Sequence, residues 1–417
     1  MSNHDFTLTP RDLLFMHDAR PMEASDAGQG ANWPRPDQLW NAVINMFHRQ
    51  WREMQAWEGD LHTQNQYDKH ADSSFRFGAL QTIGPFPMKE EKGNKTVFFP
   101  CPLDLSVDND GNLQPMKLVS ADGTDMPKPL KYAFQAPVLG KQKLPQWLSA
   151  KDYALYLAGE TIDKQKSEKL YTAERNIGIE INPETGSTVD SKLYQAEYLR
   201  LESDVTMAFS ASCDIRAKNR TPEERKIDVF EKLSYPMDMV IGGQQGVARL
   251  NELEGCLELP RVEPQAGCLK VRWTLLSPLV STGGWLPSWI DAENGKAMLK
   301  PLDNKPERKS GESREAWRKR CQESCPEIKA RLVAARIGKP ISFSGWDLQG
   351  GDKSSAGVPK KTLLAVPAGS SYVFECESAA DVKNLWKALD GKRLSSVYGE
   401  KGFGIGVCSS FQLRINN

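Results

Sequence analysis

The clearest period in this chain is helical. Trp40, Val43, Ile44, Phe47, Trp51 and Met54 recur at spacings of three and four, behind a proline at position 36 that suits a first helical turn. This predicts an amphipathic helix whose aromatic stripe faces a core. Upstream, Phe6, Leu8, Leu13, Leu14 and Phe15 read as a strand over Phe6–Phe15 around Pro10, and residues 18–36 are turn-rich. Residues 60–140 are loop-rich with short strands such as Thr96–Phe99, and Asp152–Leu157 reads as a short helix. Ile177–Leu201 has the form of a hairpin, with a turn at Asn182-Pro-Glu-Thr-Gly186 between Ile177–Ile181 and Leu193–Leu201. A strand near Val205–Ser210 follows, and polar Arg216–Arg225 is the best linker candidate. Beyond it come strands at Leu269–Leu276, Thr362–Val366 and Tyr372–Glu375, a helix over Ala379–Leu389, and a last strand within Val407–Asn417. Strands interleaved with single helices predict an α+β fold of two ferredoxin-like (RRM-like) domains, with a β-hairpin thumb and loop-rich insertions. The expected domains are 1–212 and 213–417.

Two glycine clusters interrupt this pattern. Gly399-Glu-Lys-Gly-Phe-Gly-Ile-Gly406 could bring backbone amides against an anion, because no Cβ blocks the approach. A dinucleotide-binding loop would open a helix within a longer βαβ unit. Only Val407–Asn417 follow here, so the expectation is a turn into a last strand, with Lys401 and Phe403 at its tip. Lysine suits a phosphate and phenylalanine can stack on a base; a tight glycine hairpin without a ligand fits the same residues. Gly242-Gly243-Gln244-Gln245-Gly246 with Arg249 offers amides, two side-chain amides and a cation, or equally a strand-ending turn.

Charge narrows the choice. The 54 Lys and Arg balance the 54 Asp and Glu, which argues against a free-standing, non-specific nucleic-acid binder. It leaves room for a subunit gripping one short stretch of RNA inside an assembly. Residues 300–339 carry twelve Lys and Arg against six Asp and Glu, a run that also reads as a solvated surface. No stretch of eighteen apolar residues occurs, so no membrane span is expected, and the first five residues do not resemble a secretory signal. The eight cysteines include no Cys-x-x-Cys pair, which points to reduced thiols in a cytoplasm and to no metal and no cofactor.

Four ordered segments carry a resemblance. Leu8-Thr-Pro-Arg-Asp-Leu-Leu-Phe-Met-His-Asp-Ala-Arg-Pro21 with Trp33-Pro-Arg-Pro36, then Arg175–Tyr194, then Val366–Phe374, then Gly399–Gly406 together resemble the RAMP superfamily of CRISPR effector proteins. Within it, they look like the subunit that caps the 5′ end of the guide RNA in type III-B (Cmr) effector complexes. The resemblance implies two ferredoxin-like halves and a non-catalytic role in antiviral defence. It implies binding of the repeat-derived 5′ handle of the guide RNA, with contacts to the large polymerase-like subunit and to backbone RAMP subunits. Single-stranded RNA is held by amides and cations on phosphates and by planar groups against bases. The residues placed at RNA are therefore Arg20, Arg35, Arg175, Asn176, Lys192, Gly242, Gly243, Gln244, Gln245, Arg249, Lys401, Gly402, Phe403, Gly404 and Gly406, with the hairpin as a thumb separating handle from guide.

The alternative is a metal-independent endoribonuclease that processes repeat RNA, as some RAMP relatives do with His, Tyr or Lys. The five histidines, at 4, 17, 48, 62 and 70, all fall in the first seventy residues, and nothing in the sequence pairs His17 with a base. Gly350-Gly-Asp-Lys353 lacks the paired acids of a polymerase or cyclase metal site. The expectation is no catalytic activity. A third reading is a scaffold that touches only protein.

Overall fold

The computed structural model describes residues 2–16, 27–29, 32–53, 79–136, 143–163, 168–216, 226–299, 308–324, 327–347 and 358–411. The elements that position the site begin with β1 (His4–Pro10), α1 (Pro36–Glu53), β2 (Gln81–Glu91), β3 (Asn94–Pro100), β4 (Trp147–Ser149) and α2 (Ala150–Ala158). Then come β5 (Tyr171–Ile181), β6 (Thr188–Leu201), β7 (Val205–Ser212), β8 (Met237–Val240) and β9 (Val247–Glu252). The last are β10 (Lys270–Leu275), α3 (Arg314–Ser324), β11 (Ala330–Arg336), β12 (Ser371–Cys376), α4 (Ala379–Leu389) and β13 (Gly406–Ser410).

The first sheet has the order β8-β9-β1-β7-β2-β3-β4, antiparallel throughout. Phe6 faces Phe209 and Leu8 faces Met207 across β1 and β7. The same side takes the stripe of α1, so Leu39, Trp40, Val43 and Phe47 join these residues in one buried core. Each such side chain contributes about 1.5–3 kcal/mol when fully buried. The helix starts at Pro36 because Arg35 caps it. The Arg35 carbonyl accepts from the Gln38 and Leu39 amides at 3.1 and 3.3 Å, while the Gln38 side chain accepts from the Arg35 amide at 2.9 Å.

The first strand is shorter than its apolar pattern. The chain bends at Arg11–Asp12, and Leu14 and Phe15 instead bridge to Leu199 and Gly243. The hairpin is longer than expected, an arm of two long strands edged by the short strand Ala27–Gln29, which runs parallel to β6 at Gln195–Glu197. Its turn is closed by Asn182, which donates to the Ser187 carbonyl at 2.8 Å and accepts the Glu184 amide at 2.9 Å. The expected boundary at 212/213 does not separate the sheets. β9 hydrogen-bonds onto β1, with Leu8 opposite Leu250, and β8 pairs with the far edge of β9; Ala248 and Leu250 are buried in the first core. Residues 217–225, the core of the linker candidate, lie outside the described residues.

The second sheet begins at Lys270 and has the order β11-β12-β10-β13, again antiparallel. Helix α4 spans the predicted Ala379–Leu389, capped by Ser378, whose hydroxyl accepts the Asp381 amide at 3.2 Å. Its Val382, Leu385, Trp386 and Leu389 pack with Trp273 and Phe374.

The segment between β3 and β4 fastens the two sheets together. Asp104, fully buried, accepts the Tyr156 hydroxyl at 2.7 Å and the Ser371 hydroxyl at 2.9 Å, and pairs with Arg272 of β10 at 3.2 Å. Arg272 also donates to Ser409 Oγ at 2.9 Å and to the Tyr156 carbonyl at 2.8 Å, and lies 3.9 Å over the Tyr156 ring. Among the described residues no helix is long and apolar enough to cross a membrane.

Candidate nucleic-acid interface

The loop at Gly399–Gly406 is an internal seam. Its amides are used within the protein: Lys401 and Phe403 donate to the Tyr398 carbonyl at 3.0 and 3.2 Å, Gly402 to Gly399 at 3.0 Å, Gly404 to Pro278 at 2.7 Å, and Ile405 to Ser277 Oγ at 2.9 Å. The glycines answer to backbone packing. A Cβ at Gly402 would stand 2.7 Å from the Thr82 carbonyl oxygen of β2, and one at Gly406 would stand 2.4 Å from the Trp273 indole nitrogen. The expected anion cradle is therefore closed by protein.

Phe403 is fully buried, 5.3 Å from the Phe343 ring and 5.9 Å from Tyr398, so no face is open to a base. This corrects the stacking role expected for it. Lys401 turns inward too. Its Nζ lies 4.4 Å from the Tyr398 ring centre and 4.6 Å from that of Trp40, and its carbonyl accepts from Thr82 Oγ1 at 3.0 Å. Arg35 joins the same seam, pairing with Asp37 at 3.0 Å and lying 5.3 Å over Phe343. Neither cation presents itself to a phosphate in this arrangement.

Burial lowers the Lys401 pKa, opposed by the nearby Asp37 and Glu400 carboxylates. The unfolded chain then binds more protons than the folded one between the lowered value and the ordinary lysine value. Stability attributable to this group rises with pH through that window and falls again as pH drops through the folded value. Lys401→Met is expected to flatten the rise. Denaturation midpoints of both proteins between pH 7 and 10.5 check it, and parallel curves would count against a desolvated ammonium.

The second glycine cluster closes the β8–β9 hairpin at the root of the β5–β6 arm. The Gly243 amide donates to the Phe15 carbonyl at 2.8 Å, and Cβ atoms at Gly242 and Gly243 would stand 2.7 Å and 2.9 Å from Phe15 atoms. Gly246 donates back to the Gly243 carbonyl at 3.2 Å, leaving Gln244 and Gln245 as the central residues, at φ 53° and 54°. Two consecutive non-glycine residues in the left-handed region cost about 1 kcal/mol or more each, and such strain concentrates at functional sites. Both are exposed, and among the described residues their amides donate to no protein acceptor. The Tyr198 hydroxyl of β6 donates to the Gln244 side chain, and the Tyr198 ring lies 5.4 Å from Phe15. Arg249 projects from β9 exposed and without an ion pair among the described residues. Its neighbour Arg11 pairs with Asp238.

The structure thus brings together three of the expected segments at one end: the N-terminal segment after β1, the arm root and the Gly242–Gly246 turn. It leaves the Gly399–Gly406 loop inside. Arg175 is on the arm, paired with Glu197 at 2.6 Å, with Asn176 beside it. Lys192 is on β6. Arg20 and His17 lie outside the described residues. Tyr198 was missed, although a tyrosine amid polar neighbours at a hairpin root was the available signal. Among the histidines, His4 is tied to Asp228 at 2.8 Å beside Phe230, a packing role. Burial pushes the Cys101, Cys213 and Cys376 thiols up to about 12, so they stay protonated.

Comparison with known proteins gives this arrangement a class, the CRISPR-associated proteins. The family model described as CRISPR-associated protein (Cas_Cmr3) matches residues 6–408, nearly the whole chain, and the protein belongs to that family. A chain of the type III-B Cmr-beta complex, solved by cryo-EM with cognate target RNA and AMPPnP, is 16% identical, with 88% of this chain and 86% of that chain covered and a TM-score of 0.40. A second Cmr-beta structure, bound to cognate target RNA, gives the same values. A chain from the apo state is 9% identical, with 60% of this chain and 97% of that chain covered and a TM-score of 0.29. No curated protein matches the chain. Membership rests on the family match.

Proposed function

We propose that this protein is a non-catalytic subunit of a type III-B CRISPR RNA-guided effector complex, and that it holds the repeat-derived 5′ handle of the guide RNA. The handle crosses the end of the first sheet at the strained Gln244–Gln245 turn, with Arg249 on a phosphate. The observation that carries this is the pair of exposed amides in left-handed backbone, followed on β9 by an exposed arginine, none of which has a hydrogen-bond or ion-pair partner among the described residues, an arrangement suited to phosphate oxygens. In this reading the complex works in antiviral defence in the cytoplasm, where the chain meets the large polymerase-like subunit and the first backbone subunit; membership of the CRISPR-associated family supports its place in an effector complex. Each half is read as ferredoxin-like. The second supports this with the chain order β10-α3-β11-β12-α4-β13 and its sheet order. Sequence reading is left to base pairing by the guide, so the protein needs only to recognise the handle.

Arg249→Ala combined with Gln244→Ala is expected to weaken binding of a labelled handle RNA roughly uniformly across sequences. The slope of log affinity against log salt should shrink by about 0.7–1, the signature of one lost phosphate contact. Lys401→Ala, by contrast, should leave that slope unchanged. A slope that moves with Lys401 and not with Arg249 would return the site to the glycine loop.

A further inference from the structure

A cleft between the end of α2, residues 114–117 and the end of β13 is not used by handle binding. It encloses about 300 Å³, and its lining includes the buried Arg272, Ser410 and Phe411 and an exposed rim at residues 158–161. A guanidinium carries five N–H donors. Arg272 spends three of them: Nε on Ser409 Oγ at 2.9 Å, Nη1 on Asp104 at 3.2 Å and Nη2 on the Tyr156 carbonyl at 2.8 Å. One N–H on each terminal nitrogen therefore has no acceptor among the described residues, on a side chain that is 1% exposed and lines the cleft. Buried donors are paired in folded proteins, because an unmade bond costs the full desolvation of the group. Ser410 Oγ accepts the Gln265 amide at 2.9 Å, and its own O–H is likewise unspent among the described residues.

Charge and shape choose the occupant. Asp104 already neutralises Arg272, and the other charges of the lining, Lys117 and Glu160, cancel. The α2 helix ends at the rim, at Ala158, with the negative end of its dipole. An anion gains nothing from this balance, so the occupant is neutral and presents two adjacent acceptors to the unspent N–H pair. It is also flat. The guanidinium carbon lies 5.5 Å from the Phe411 ring centre, and a group bonded in the guanidinium plane runs beside that ring. Guanine meets each demand. Its O6 and N7 are the acceptor pair that an arginine fork reads, its rings can stack on Phe411, and its N1–H and N2–H donors suit the Glu160 carboxylate. Adenine sets an amino donor beside N7, and a carboxamide has a single oxygen. We infer that this cleft is a pocket for a guanine base, with Arg272 as its reader and Glu160 at its edge. A base carried on an RNA strand rests on the effector reading; the pocket itself does not.

The test is calorimetric titration of the full chain with guanosine, 7-deazaguanosine, adenosine, cytidine and uridine. Guanosine should bind about tenfold or more tightly than the others, and the loss with 7-deazaguanosine marks the N7 contact without any variant. Ala158→Trp fills the cleft from the exposed end of α2 and leaves Asp104 and Arg272 in place. It should abolish guanosine binding with an unchanged melting curve. Glu160→Gln, a rim change that does not threaten folding, should weaken guanosine about tenfold. Arg249→Ala combined with Gln244→Ala should leave guanosine affinity unchanged, so a failed handle site and a failed pocket read out separately. A uridine nonamer with one central guanosine, set against the all-uridine nonamer, gives the source of the base. A gain in affinity that Ala158→Trp removes assigns the pocket to RNA; guanosine binding without that gain assigns it to a free guanine nucleoside or nucleotide. No binding of guanosine, equal binding of all the nucleosides, or guanosine binding that survives both Ala158→Trp and Glu160→Gln overturns the inference and leaves the two N–H donors to solvent.

Discussion

Asp104→Ala is expected to destabilise the protein by about 3–5 kcal/mol, because it strands the Arg272 guanidinium in the interior. Arg272 is 1% exposed and Asp104 is 0% exposed, so water replaces neither partner. Removing the carboxylate also orphans the Tyr156 and Ser371 hydroxyls that it accepts from, at about 1–3 kcal/mol for each group left unpaired. Burial keeps Tyr156 protonated, pushing its pKa well above the ordinary tyrosine value, so it remains a donor in search of an acceptor. The double replacement Asp104→Leu/Arg272→Met should recover a large part of the loss, since the desolvation cost of both charges disappears together. Denaturant titrations of the two single variants and the double variant give the coupling directly. Additive losses would mean that the pair is solvated and does not tie the β3–β4 segment to the second sheet.

Local pattern carried much of this architecture. The periodicity at Trp40–Phe47, the Asn182–Gly186 turn and the apolar face of Ala379–Leu389 each point to the element observed, because their signals are short-range. What the pattern could not hold is long-range pairing. Nothing local in Val247–Glu252 says that it completes the sheet of β1, and nothing in Asp104 announces a partner 168 residues away in Arg272. The site was legible in the same uneven way. Gln244, Gln245 and Arg249 stand exposed where a ligand could meet them. Lys401 and Phe403 look like ligand residues in sequence because glycine-flanked lysine and phenylalanine suit both an anion loop and a crowded turn. Only the neighbours Thr82, Trp40 and Phe343 decide between them.

Gly404→Ala separates those two uses of glycine most sharply. Gly404 has φ +72°, and an added Cβ would lie 2.3 Å from the Ser395 amide nitrogen and 2.9 Å from its Cα, so the obstruction is backbone that cannot swing aside. Left-handed backbone costs an alanine about 1–2 kcal/mol, and forced overpacking adds about 1–3 kcal/mol more. The expected loss is therefore roughly 2–5 kcal/mol of stability. The Gly404 amide also donates to Pro278 at 2.7 Å, so a displaced loop would disturb the strand ends that seat Phe403 beside Val280. Thermal unfolding and handle-RNA affinity, measured on the same preparation, discriminate. A loop that packs the two sheets loses stability while the folded fraction binds RNA as wild type does. A loop that cradled phosphate would keep its melting temperature and lose affinity, and that outcome would undo the assignment of Gly399–Gly406 to the interior.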